Sequence, residues 1–153
     1  MRRRRLLAAL STVLAGGCLD RDGRAPGPRT PSTETPTATP SRVVSATFRV
    51  TERSCGAGLD TATVTVADDR VIVAGNIAGE DACDAARLAD VRFDGEALLL
   101  SVRTARTGPL GPEVCAQCRT DIDYAVTVDI EGGPPETVVV RHGDEVVARV
   151  ERA

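Results

Sequence analysis

An antiparallel β-sandwich of about seven to eight strands, immunoglobulin-like and stapled by disulfides, is the fold class that residues 43–153 predict. Three observations carry that expectation. Apolar residues recur at every second position, turn-forming residues punctuate the chain at short intervals, and no stretch sustains a helical period. A strand with one wet face and one dry face requires the first of these, and hairpins require the second.

Taken in order, Ala46, Phe48 and Val50 share one face of a first strand, and Ala62, Val64 and Val66 share one face of a second. Asp68 and Asp69 then supply a turn before a third strand over residues 71–77. A fourth runs through residues 88–93, and Asp94-Gly95 is a hairpin signal leading to Leu98, Leu100 and Val102. The clearest alternation is Ile122, Tyr124, Val126, Val128 and Ile130. Gly132-Gly133-Pro134-Pro135 breaks the run, residues 138–140 resume it, and Gly143-Asp144 turns the chain into residues 146–150. Over residues 81–90, Ala82, Ala85, Ala86 and Leu88 allow a short helix as the alternative. The only aromatic residues are Phe48, Phe93 and Tyr124, and all three are expected in an otherwise aliphatic core.

What precedes this domain reads as an address and a tether. Arg2 to Arg5 run into an apolar stretch that ends in Ala15-Gly16-Gly17-Cys18, the layout of an export signal over residues 1–17, cut so that Cys18 becomes a lipidated N-terminus. Residues 6–17 are 12 in number, too few for a helix spanning a bilayer, which takes about 20. The consecutive arginines contain the pair used by the twin-arginine pathway, although ordinary secretory signals can also be arginine-rich. An unmodified Cys18 would be a lone reactive thiol in an oxidising place, which favours lipidation. Residues 18–42 form the lipidated terminus and a linker in which Pro26, Pro28, Pro31, Pro36 and Pro40 alternate with Thr and Ser, a composition that stays extended and solvated.

Charge narrows the partners. All 19 basic residues are arginines, against 22 acids. From Val43 onward 11 arginines face 19 acids, a formal charge of −8 carried by the folded domain itself. Such self-repulsion is tolerated best where salt screens it, so the lysine-free acidic surface is compatible with a high-salt habitat, or equally with a GC-rich genome. A nucleic-acid partner is not expected, because no basic stripe is visible.

Cys55, Cys83, Cys115 and Cys118 remain for the domain, an even number that reads as two disulfides in any of three connectivities. Bridges reaching Cys55 and Cys83 would close long loops worth about 3–4 kcal/mol each. The sharper alternative is an extracytoplasmic thiol-redox or zinc-binding protein using Cys115 and Cys118, whose spacing is that of a metal knuckle. A second closely spaced pair is missing, and the motif precedes a strand rather than opening a helix.

The leader resembles those of haloarchaeal lipoproteins, with Ala15 where bacterial lipoboxes prefer leucine. The domain is similar to a set of uncharacterised haloarchaeal surface lipoproteins at Ser54-Cys55-Gly56, Gly75-Asn76-Ile77-Ala78-Gly79, Cys83 with Ala86 and Leu88, Cys115-Ala116-Gln117-Cys118, Ile122-Asp123-Tyr124, Gly132-Gly133-Pro134 and Val140-Arg141-His142. Some of those relatives keep only the counterparts of Cys83 and Cys115, so the resemblance implies pairing of Cys83 with Cys115 and of Cys55 with Cys118. It brings no activity with it.

No catalytic residue, cofactor site or metal site is expected. A serine or cysteine hydrolase needs a base, and the single histidine, His142, reads as a satisfied side chain at the end of an apolar strand. Phosphate loops and histidine metal pairs are missing, and Asp68/Asp69, Glu80/Asp81 and Asp121/Asp123 read as solvated acids rather than calcium ligands. The expectation is therefore a non-enzymatic lipoprotein. Held to the outer face of the cell membrane through the lipid on Cys18, it would present its sandwich as a structural domain or to an unknown surface protein or ligand.

Overall fold

A computed structural model describes residues 37–107, 115 and 117–153. The expected leader over residues 1–17, the expected anchor Cys18 and the expected linker through residue 36 lie outside the described residues. Residues from Pro36 to Ala153 form one unit.

Eight strands build it: β1 (Arg42–Cys55), β2 (Thr61–Val66), β3 (Arg70–Gly79), β4 (Asp84–Asp94), β5 (Ala97–Arg106), β6 (Thr120–Glu131), β7 (Thr137–His142) and β8 (Glu145–Glu151). They form two four-stranded sheets, ordered β1-β6-β3-β2 and β4-β5-β7-β8. Residues of both sheets contribute to a single apolar cluster, so the layers share one core. The fold is a β-sandwich, and among the described residues there is no helix.

β6 shows why the fold closes. Its residues alternate without interruption between buried and half-exposed from Thr120 to Ile130. Ile122, Tyr124, Val126 and Val128 are almost wholly inaccessible. Val71, Val73 and Ile77 of β3 lie beside them, while Leu98, Leu100 and Val102 of β5 and Val138 and Val140 of β7 face them from the other sheet. Each such aliphatic side chain contributes about 1.5–3 kcal/mol on burial. Flanked on both sides by β1 and β3, β6 is central, which is why its pattern is the cleanest in the chain.

Three details depart from expectation. The pairing is antiparallel except between β5 and β7, which run parallel from Ala97↔Thr137 to Val102↔His142. After β5 the chain crosses to the other sheet as β6 and crosses back as β7, and two reversals leave β5 and β7 pointing the same way. The immunoglobulin comparison thus holds for the two face-packed sheets, while the strand order belongs to this chain.

Second, the first strand is not half dry. Phe48 is half-buried, but Ala46 is exposed and Val50 is 39% exposed, because β1 is an edge strand covered only by β4, itself an edge. Register shifts at Val43/Ser45 and Val50/Glu52 bend it further, a device that blunts a long edge against pairing with other chains.

Third, residues 84–94 form β4 and not the short helix considered as an alternative. Ala86 and Leu88 stand opposite Thr104 and Val102 of β5, and that pairing overrides the helix propensity of the alanines.

Two glycines shape the interior and the entrance. A Cβ at Gly75 would collide with the ring of Tyr124, its partner across the sheet, so the missing side chain is the space in which that ring lies. A Cβ at Gly132, where φ is +92°, would meet the Pro40 carbonyl oxygen at 2.6 Å. Ser41 Oγ donates to the Gly133 carbonyl at 3.0 Å, so the end of the linker is already pinned to the β6–β7 turn before β1 begins.

Candidate functional site

The four domain cysteines lie between or at the ends of strands. Cys55 ends β1 and bonds to Cys118, just before β6, with Cα atoms 5.6 Å apart and a sequence separation of 63. Cys83, just before β4, bonds to Cys115 with the same 5.6 Å Cα separation and a sequence separation of 32. This is the connectivity that the resemblance implies. Cys115 and Cys118 are each joined to a distant cysteine rather than to one another, so their close spacing does not form a redox disulfide. Candidate ligand atoms of Asp81, Cys83 and Cys115 lie within 4.8 Å of one another, but both sulfurs are spent on their mutual bond and offer no thiolate to a metal.

Asp81 has other work. It accepts the Cys83 N–H at 2.9 Å and pairs with Arg106, tying the disulfide to the end of β5. Asp68 and Asp69 form an exposed bend, as their sequence suggests. Asp121 and Asp123 belong to β6 and are engaged: Asp121 accepts the Gly58 N–H at 2.7 Å and Asp123 accepts from Asn76 Nδ2 at 2.6 Å.

One constellation was not legible beforehand. His142 ends β7 inside the sandwich, where Tyr124 Oη lies 2.8 Å from its Nε2 and Asp60 Oδ1 lies 3.1 Å from its Nδ1. Asp60, at φ +45°, sits just before β2, and the same oxygen accepts the Ala78 N–H of β3 at 3.1 Å. A carboxylate only accepts, so Nδ1 of the neutral ring carries the proton and Nε2 receives the tyrosine hydroxyl. The Tyr124 ring also stacks on Phe48, with centroids 5.6 Å apart, and meets His142 edge-on at 5.7 Å.

The order Asp, His, hydroxyl invites comparison with a nucleophile relay, but here the hydroxyl belongs to a core tyrosine. Burial, aided by the Asp60 charge, pushes the Tyr124 phenol up and away from ionisation. Burial also pushes His142 down, with the hydrogen bond to Asp60 opposing it. Tyr124 is 1% exposed, and its oxygen packs against His142. The trio is a polar spine linking β6, β7 and the approach to β2. An open hollow of about 320 Å³, lined in part by Asp60, Arg103 and His142, meets the trio at Asp60 and His142. Tyr124 carried a signal in the sequence through its place in the alternation, and His142 through its place at the end of an apolar strand, where its ring is satisfied as expected; the partnership with Asp60 spans 82 residues and leaves no local trace.

No family model matches the chain, and no curated protein or solved structure matches it either.

Proposed function

We propose that this chain is a lipid-anchored extracellular lipoprotein that displays a non-catalytic, disulfide-stapled β-sandwich from the outer face of the cell membrane. The observation that carries the reading is the division of the five cysteines. Cys18 follows Ala15-Gly16-Gly17 at the end of an export-type leader, and the other four are paired within the domain. Bridges over sequence separations of 63 and 32 persist in oxidising surroundings, which supports a domain that works outside the cytoplasm. Two lipid chains on Cys18 would hold it firmly, where a single chain binds only marginally. The burial of the Tyr124 oxygen supports display rather than turnover.

The test is the intact mass of the membrane-extracted protein, read with a free-thiol count and a zinc assay. A chain that begins at a lipid-modified Cys18 and carries no free thiol is the expected result, and Cys18→Ser should release the domain into the medium. An unmodified Cys18, or four free thiols with bound zinc, overturns the reading and favours thiol-redox or zinc chemistry at Cys115 and Cys118.

A further inference from the structure

The outward face of β4-β5-β7-β8 carries Arg87, Arg92, Arg103, Arg141 and Arg149, all exposed, in a domain whose formal charge is −8. Arg87 and Arg103 stand directly opposite each other across β4 and β5. Like charges at such positions destabilise a sheet. With 19 acids available from residue 43 onward, an acid opposite either arginine would have relieved that repulsion.

On β7, Arg141 stands opposite Ser101, so its guanidinium lies one row from Arg103 on the same face. A surface hollow of about 540 Å³ has Arg87, Arg92, Arg103 and Arg141 among its lining residues. Among the described residues, no acid lies within 4.0 Å of Arg87, Arg141 or Arg149. Asp90, Asp94 and Asp144 line the same hollow. Asp90 pairs with Arg92, and Asp144 is a fully exposed turn residue 3.7 Å from Arg103, a solvated contact of little strength. Asp94 and Glu151 lie at the far strand ends.

We propose that this arginine face binds an acidic polysaccharide, a hydrophilic chain bearing repeated carboxylate or sulfate groups. Guanidinium forks match such oxyanions bidentately, and an anion between Arg87 and Arg103 turns a repulsive pair into a clamp. Arginines spread over three rows suit a chain of anions better than one convergent ion. A membrane surface fits less well, since Val146 is the one large exposed apolar side chain at this face's rim and little apolar area would enter a bilayer to reinforce the charges. Stacking with nucleic-acid bases requires aromatic side chains, and Phe48 and Tyr124 stack on each other while Phe93 of β4 packs against the core. A second copy of the chain does not offer its β6 acids as a free complement. The acids on its outer β6 surface are already engaged, Asp123 by Asn76, Asp129 by Arg70 and Ser45, and Asp121 by the Gly58 N–H.

The proposal rests on the display reading for its setting, and the experiment separates the two. Full-length protein in detergent, disulfides intact, is titrated with heparin, with neutral dextran, with phosphatidylglycerol vesicles and with a thymidine oligonucleotide, at about 0.15 M and about 1 M salt. Heparin should bind at low salt and weaken at high salt, and dextran should not bind. Arg87→Gln with Arg103→Gln should weaken heparin at least about tenfold while leaving the melting temperature equal or higher, because the repulsion is gone. Arg141→Gln alone should weaken it less, and Arg49→Gln on the opposite sheet should change nothing.

Heparin binding that survives the double substitution overturns the proposal, as does no binding at low salt or arginine-dependent binding that prefers vesicles or the oligonucleotide. Should the double variant not fold, Arg141→Gln decides by the same comparison. Heparin binding by a protein whose Cys18 is unmodified keeps this site and removes the anchor. A lipidated protein blind to heparin does the reverse.

Discussion

At the scale of single residues, the chain places its one histidine where burial and partnership oppose each other. Desolvation lowers the proton affinity of His142, and the carboxylate of Asp60 only partly restores it. The folded ring therefore stays neutral at a pH where the same ring in the unfolded chain, near its ordinary value of about 6.5, takes up a proton. In that window the unfolded state binds more protons, so the free energy of unfolding rises with pH. The stability involved is complete above about pH 6.5 and is lost as pH falls toward the lowered folded value. Urea midpoints should accordingly drop between about pH 7.5 and about pH 5.5, a range above the carboxylate titrations. His142→Gln should flatten that drop. A wild-type midpoint that holds steady or climbs on acidification would mean that the imidazole is charged in the fold.

At the scale of elements, legibility follows the position of each strand in its sheet. β6, flanked on both sides, could be read residue by residue, because both faces of a central strand have fixed surroundings. β1 has the same period in its sequence, yet Ala46 and Val50 are exposed, since what covers an edge is decided by a distant strand. The parallel pairing of β5 with β7 was illegible for a related reason. Direction depends on how many times the chain changes sheets, and no local pattern records that. The polar spine was hidden likewise, because Asp60 looks like any loop acid until Tyr124 and His142 are placed beside it.

Disulfides are the elements' other long-range constraint, and they can be removed one at a time. Cys55→Ser with Cys118→Ser frees a loop of 63 residues and detaches the end of the exposed edge strand β1. Cys83→Ser with Cys115→Ser frees a loop of 32 and the start of β4. Chain entropy assigns about 4 kcal/mol to each closure, with a weak dependence on loop length. Each double substitution should cost about 2–5 kcal/mol in denaturant midpoints multiplied by the slope. A loss below about 0.5 kcal/mol from either would show that the strand ends are held by their hydrogen bonds alone.

At the scale of the whole molecule, the two sheets dispose their charges differently. The outer surface of β1-β6-β3-β2 pairs Asp129 with Arg70 and Ser45 but sets Glu52 opposite Asp123, whereas the outer surface of β4-β5-β7-β8 leaves arginine facing arginine. The 19 acids against 11 arginines from residue 43 onward must then repel one another mostly through solvent. Interactions of that kind are screened by salt over a length that falls from about 10 Å at 0.1 M to about 3 Å at 1 M, while the buried aliphatic core is indifferent to screening. The melting temperature should therefore rise steeply as sodium chloride goes from about 0.1 M to about 0.5 M and then level off, because the repulsion is by then largely screened. A general strengthening of apolar burial by excluded salts would instead keep rising with concentration. Differential scanning calorimetry across that series separates the two. A curve with no early rise would mean that the acids are held apart well enough for their excess to cost the fold nothing.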